Sequence, residues 1–193
     1  MMNGGERKDT MRQFARLALV VAVASAGSGA IRAAAAELNV GDKAPDFTLA
    51  ASDGKTYHLA DFKGKKAVVL AWFPKAFTGG CTVECKSLAA NGEKIRQYEV
   101  AYFMASVDPV EGEKGNKAFA ESEKADFPLL GDPTKEAATA YGVLHPERGL
   151  AQRWTFYIAK DGKIAAIDKA IKPATAAEDV LAKLEELEVA KAR

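Results

Sequence analysis

The 193-residue chain is short of cysteine, histidine and net charge, with two cysteines, two histidines and 27 basic residues set against 26 acidic ones. That balance excludes the strongly basic surface that nucleic acid or an anionic membrane would call for. Two thiols are too few for a disulfide scaffold, and a domain of this length buries enough core to fold without one. The apolar run Leu17–Ala30 is too short, and too rich in alanine, glycine and serine, to anchor well in a bilayer. Internal repeats and long linkers are missing. The pair Gly79-Gly80 lacks the Lys-Ser/Thr ending that a phosphate loop needs. "KGKK" at Lys63–Lys66 reads as a solvated turn.

The N-terminus is organised. Arg7, Lys8, Arg12 and Arg16 precede the apolar run, and "RAAAAE" at Arg32–Glu37 offers the small side chains a signal peptidase cuts after. This order is that of a secretory signal peptide, expected over residues 1–36, with residues 37–193 as one domain. No two arginines are consecutive, which favours the general export route, and no cysteine near the cut could carry a lipid. Residues 1–36 hold five of the basic and two of the acidic residues, so the remaining 157 carry 22 against 24. The expected product is an exported, periplasmic protein with no membrane attachment after processing.

The rest of the chain alternates strand and helix patterns. Ala44–Leu59 reads as a hairpin turned at Asp53-Gly54. Lys66–Phe73, "KAVVLAWF", and Val100–Asp108, "VAYFMASVD", are continuous apolar runs of the kind buried on both faces of a sheet. A helix is expected from Thr78–Cys81 toward Tyr98, a second over Glu111–Lys124, and a short one over Thr134–Tyr141 stopped by Gly142. Pro128–Leu130 lies between the last two. Arg153–Asp168 reads as a hairpin turned at Asp161-Gly162. The last helix opens on Thr175-x-x-Glu178, a capping box, and buries Val180, Leu184 and Leu187. Together these elements imply an α/β sandwich around a mixed central sheet.

Both cysteines fall in "PKAFTGGCTVEC", Pro74–Cys85, where the first buried strand feeds its helix. In open α/β sheets such junctions carry chemistry. A cysteine in the first helical turn lies near unpaired N–H groups and the positive end of the helix dipole, both favourable to the thiolate. Cys81 is so placed, and Cys85 lies one turn further in. Residues four apart on an intact helix keep their Cβ atoms about 5–6 Å apart, whereas a disulfide needs about 3.5–4.5 Å. Joining the two would require the first turn to unwind, which Gly79 and Gly80 would ease. The competing reading is a pair of inert core thiols.

Pro74-x-x-x-Thr78-x-x-Cys81 resembles the active-site signature of the peroxiredoxins, and "WFPKAFTGGCTVE" resembles that of their bacterioferritin-comigratory (Q) class. "VGDKAPDFTL", "GDPTKEAATAYGV" and Arg153 before "TFYI" extend the likeness over about Val40–Leu187. The resemblance implies a thioredoxin-like three-layer sandwich with a mixed central sheet and an N-terminal β-hairpin. It implies reduction of hydrogen peroxide and small organic hydroperoxides without metal or cofactor, in a monomer or homodimer recharged by a thioredoxin-like reductant. In that scheme Cys81 attacks the peroxide, Thr78 orients it, Arg153 stabilises the charge on sulfur and leaving oxygen, and Pro74 shields the oxidised sulfur. Glu84 supports the hydrogen-bond network. Plainer roles stand beside these: helix N-cap for Thr78, surface cation for Arg153, strand terminator for Pro74, solvated helix residue for Glu84.

Cys85 is the resolving candidate, although the Q class usually places that cysteine where this chain has Lys86. Gly79 also replaces a usual proline, and Phe77 a usual small polar residue. Export implies a periplasmic rather than a cytosolic reductant. Two other classes share the Cys-x-x-x-Cys theme. One is a copper carrier of the SCO type, completed by His58 or His145. The other is a thiol–disulfide exchange protein, which ordinarily carries a shorter Cys-x-x-Cys.

Overall fold

The computed structural model describes residues 37–192. The expected signal peptide lies outside the described residues. Seven strands form one sheet: β1 Thr48–Ala51, β2 Thr56–His58, β3 Ala67–Trp72, β4 Val100–Ser106, β5 Leu129–Gly131, β6 Thr155–Ile158 and β7 Ile164–Asp168, in the order β2-β1-β5-β4-β3-β6-β7. β3 runs parallel to β4, and β4 to β5; the remaining pairs are antiparallel, so the sheet is mixed. Both sequence-predicted hairpins form. Asp53-Gly54 turns β1 into β2, and Asp161-Gly162 turns β6 into β7, with Gly54 at φ 80° and Gly162 at φ 85°.

β3 is central and buried along its whole length because both of its faces are covered. Val69 and Ala71 point into a core shared with helices α1 Gly79–Ala90, α2 Gly92–Ile95, α3 Asn116–Glu123 and α5 Ala176–Glu186. Val68, Leu70 and Trp72 point into a second core, closed by helix α4 Glu136–Ala140, Leu59 and Phe156. The alternation of a strand thus sorts one apolar run into two layers of packing. Among the described residues no helix is long and apolar enough to cross a membrane.

Three local expectations need correcting. The helix drawn toward Tyr98 breaks at Asn91-Gly92. Asp126 packs so closely there that a Cβ on Gly92 would lie 2.4 Å from its carboxylate oxygen. The helix expected from Glu111 begins only at Asn116, because Gly112 stands at φ 102°, outside helical space. The capping box does not form: the Thr175 hydroxyl bonds Asp179 at 2.9 Å, and Ser87 of α1 accepts the Ala177 N–H at 3.2 Å. α5 is therefore capped from another helix, which also fixes it against α1.

Candidate active site

The site forms where β3 gives way to α1. The last ladder bond here runs from the Phe73 N–H to Ala105 O, and Pro74 follows with no N–H to give. The chain then turns through Phe77, at φ 60°, to Thr78 at the N-cap of α1. Thr78 occupies the cap position without capping: its hydroxyl donates to the Lys75 carbonyl at 2.9 Å, while its own carbonyl accepts the Thr82 N–H. The first-turn N–H groups of α1 are thus left without a side-chain acceptor.

The buried residues of α1 are Cys81, Glu84, Cys85 and Leu88, one helical stripe turned inward. Glu84 is 1% exposed and not a solvated residue, because its position on that stripe leaves it no route to water. Arg153 meets it from the extended stretch before β6. One guanidinium nitrogen donates to Cys81 Sγ at 3.2 Å and the other pairs with Glu84 Oε2. A surface role for Arg153 is thereby excluded. Pro74 and Arg153 line an open cleft of about 360 Å³ with Gln152, Trp154 and Lys169.

Charge is distributed unevenly along this stripe. Burial pushes the Glu84 carboxyl up to about 7, against the downward pull of Arg153. Burial opposes the charge on Arg153, but Glu84 and Cys81 more than offset it and hold the guanidinium charged. Burial, then the carboxylates of Glu123 and Glu84, push the Cys85 thiol up to about 12. Both thiols are free and fully buried on an intact helix.

In the sequence Gly80 reads only as easing the first turn, and its second role escapes that reading. A Cβ there would stand 3.2 Å from the Arg153 nitrogen that bonds Cys81, so the second glycine is the gap through which the guanidinium reaches sulfur. "GG" alone signals looseness, not that gap. The histidines do not join the cysteines. His58 in β2 bonds Thr48 at 2.8 Å, four strands from β3 and so roughly 20 Å across the sheet. His145 accepts the Arg148 N–H within its own loop. Among the described residues no three His, Cys, Asp or Glu side chains cluster to hold a metal ion. Trp72 is core, and Trp154 is wall of the cleft.

Residues 40–167 match the sequence model of the AhpC/TSA family. The chain belongs to that family. Alkyl hydroperoxide reductase E of Mycobacterium tuberculosis is 36% identical over 129 residues, 66% of this chain and 82% of that protein. Peroxiredoxin Bcp of Escherichia coli is 35% identical over 133 residues, again 66% of this chain and 83% of the relative. The crystal structure of peroxidoxin BcpB from Mycobacterium tuberculosis superposes with a TM-score of 0.69 at 28% identity, covering 78% of this chain and all but 2% of that one. PrxQ of Xylella fastidiosa, at 24% identity and a TM-score of 0.70, shares the fold. The sheet and its helices are accordingly a thioredoxin-like peroxiredoxin sandwich, and the protein is a thiol-dependent peroxidase. A peroxide substrate and a thioredoxin-type reductant come with that family.

Proposed function

We propose that Cys81 is the attacking thiol of this AhpC/TSA peroxidase and Cys85 the thiol that resolves it. The observation that carries this reading is the Arg153 guanidinium, shared between Cys81 Sγ and the buried Glu84 carboxyl. The fork places positive charge and a hydrogen-bond donor on one sulfur only, where charge must be held as an O–O bond breaks. Cys81 thiolate attacks the terminal oxygen of hydrogen peroxide or a small organic hydroperoxide. The O–O bond cleaves, Cys81 becomes a sulfenic acid, and the departing oxygen takes a proton and leaves as water or alcohol. Thr78, whose donor is engaged with Lys75, retains lone pairs to accept the peroxide O–H. Pro74 walls the cleft.

The Cys85 sulfur then displaces the hydroxyl of the sulfenic acid. The Cys81–Cys85 bond forms, and the thiol proton leaves with that hydroxyl as water. α1 must lose its first turn for this step. A thioredoxin-type dithiol reduces the disulfide and restores the helix. The pattern of residues 1–36 supports export, with a periplasmic protein of that type as reductant.

The test is one equivalent of hydrogen peroxide added to reduced protein, quenched within seconds by an alkylating reagent, and read by intact mass. The expected product is a monomer lighter by two hydrogens with neither thiol alkylated. In Cys85→Ser the expected product gains oxygen at Cys81, and Cys81→Ser does not react. Unchanged mass in the reduced protein, or full reactivity in Cys81→Ser, overturns the assignment.

A further inference from the structure

A buried polar cluster outside the reacting groups reaches the active-site loop from the end of β4. Asp108, just beyond that strand and 9% exposed, accepts the backbone N–H of Ala76 on Oδ2 at 2.9 Å. The same oxygen accepts the hydroxyl of fully buried Ser106 at 3.0 Å, and the Asp108 N–H returns to Ser106 Oγ at 3.1 Å. Asn116, fully buried at the start of α3, lies 3.2 Å from that hydroxyl and donates to the Leu130 carbonyl of β5 at 2.8 Å. Gly131 of β5 admits the Asp108 backbone: a Cβ there would lie 2.9 Å from Asp108 O. Two strands and a helix thus fix one carboxyl group, and that group holds one peptide of the loop.

The residue so held, Ala76, directly precedes Phe77. Phe77 stands at φ 60°, where a residue with a side chain is strained and persists only if its surroundings over-determine it. Phe77, 43% exposed, rests its ring on Phe119 of α3 at 5.2 Å, which holds the far end of the side chain but not the backbone. The backbone is held at Ala76. Thr78 and the N-terminus of α1 follow immediately, so the left-handed turn at Phe77 sets where Thr78 and Cys81 are presented.

We propose that Asp108 is a positioning residue for peroxide reduction: through the Ala76 N–H it holds the left-handed turn that presents Thr78 and Cys81 to the substrate. The proposal rests on the assignment of Cys81 as attacking thiol. It predicts that loss of the anchor slows the first step, which needs the folded loop, and does not slow closure of Cys81 on Cys85, which needs the loop to open.

The test follows oxidation of Cys81 and then disulfide closure by rapid mixing of the full chain with excess hydrogen peroxide, in the wild type, Asp108→Ala, Asp108→Asn and Ser106→Ala, with thermal midpoints measured alongside. Asp108→Ala is expected to lower the second-order rate of Cys81 oxidation about 10- to 100-fold, the scale of a misplaced reacting group, with closure as fast as wild type or faster. Asp108→Asn keeps an acceptor oxygen and is expected to stay within about threefold of wild type. Ser106→Ala, which removes a donor that orients the carboxyl, falls between them. A merely structural role moves the midpoint and leaves the rate of the folded fraction unchanged. That result overturns the proposal, as does equal impairment of both Asp108 variants. If Asp108→Ala does not fold, a wild-type oxidation rate in Ser106→Ala overturns it. A wrong assignment of Cys81 shows separately, as wild-type protein in which Cys81 neither gains oxygen nor joins Cys85 on mixing with peroxide.

Discussion

The first and second turns of α1 carry the same side chain in opposite surroundings. Cys81 and Cys85 are both fully buried and lie one turn apart. Cys81 meets a guanidinium nitrogen at 3.2 Å. Cys85 meets apolar core and the field of Glu123, Glu84 and Asp126, and its thiol is pushed up to about 12. A single helical turn, about 5.4 Å, therefore separates a sulfur that faces a cation from one whose thiol is held protonated. Burial is common to both sulfurs and is the largest cause of the raised Cys85 thiol; Glu123 and Glu84 add to it there, whereas Arg153 brings a cation to Cys81 alone. On the proposed assignment, the second thiol stays quiet while the helix is intact and acts only when the helix opens.

That contrast can be tested most severely at Cys85. In Cys81→Ser, alkylation of Cys85 in the native state at pH 8 is expected to be about a thousandfold slower than that of a free thiol. The rate should keep rising past pH 9, because burial pushes the ionisation of that thiol up to about 12. Rapid alkylation with an ordinary thiol profile would erase the difference between the turns. Next in size is Arg153→Met, which strips Cys81 of its cation and strands Glu84. The second-order rate with peroxide should fall on the order of 10²- to 10³-fold, measured by stopped-flow single turnover.

Glu84 gives a pH signature. Its folded carboxyl titrates at about 7, above the ordinary 4.5, so the folded state binds that proton more tightly than the unfolded chain. The contribution is complete below about pH 4.5 and is lost as pH rises through 7, on the order of 3 kcal/mol. Urea unfolding at pH 5 and pH 8 should show that decline in the wild type and a flatter profile in Glu84→Gln. The smallest expected effect is at Gly80→Ala. The new methyl would press on the Arg153 nitrogen at 3.2 Å and slow Cys81 oxidation about three- to tenfold. Alanine also steadies the first turn by about 0.5–1 kcal/mol, so disulfide closure should slow as well, and mass-resolved quench times would separate the two steps.

Much of this molecule was legible in the linear chain. Continuous apolar runs at Ala67–Trp72 and Val100–Ser106 specify strands buried on both faces, and Asp-Gly pairs specify both hairpin turns, because these signals depend on residues close in sequence. The same holds for Pro74, Thr78 and Cys81, which fit one strand-to-helix turn, and for the spacing that keeps Cys81 from Cys85. The chain could not reveal that the helix breaks at Asn91-Gly92 under Asp126, or that Ser87 rather than Glu178 caps α5, since both are contacts between distant segments; the late start of α3 at Asn116 follows from the left-handed backbone at Gly112. The chain left Glu84 open between a solvated helix residue and a supporting part in the hydrogen-bond network. Its burial, the gap at Gly80 that admits Arg153, and the reach of Asp108 to Ala76 were decided by tertiary structure alone. Local sequence sets backbone conformation and the face a residue shares. The charge a residue meets is set by whichever segment packs on it, and Arg153 stands 72 residues from Cys81.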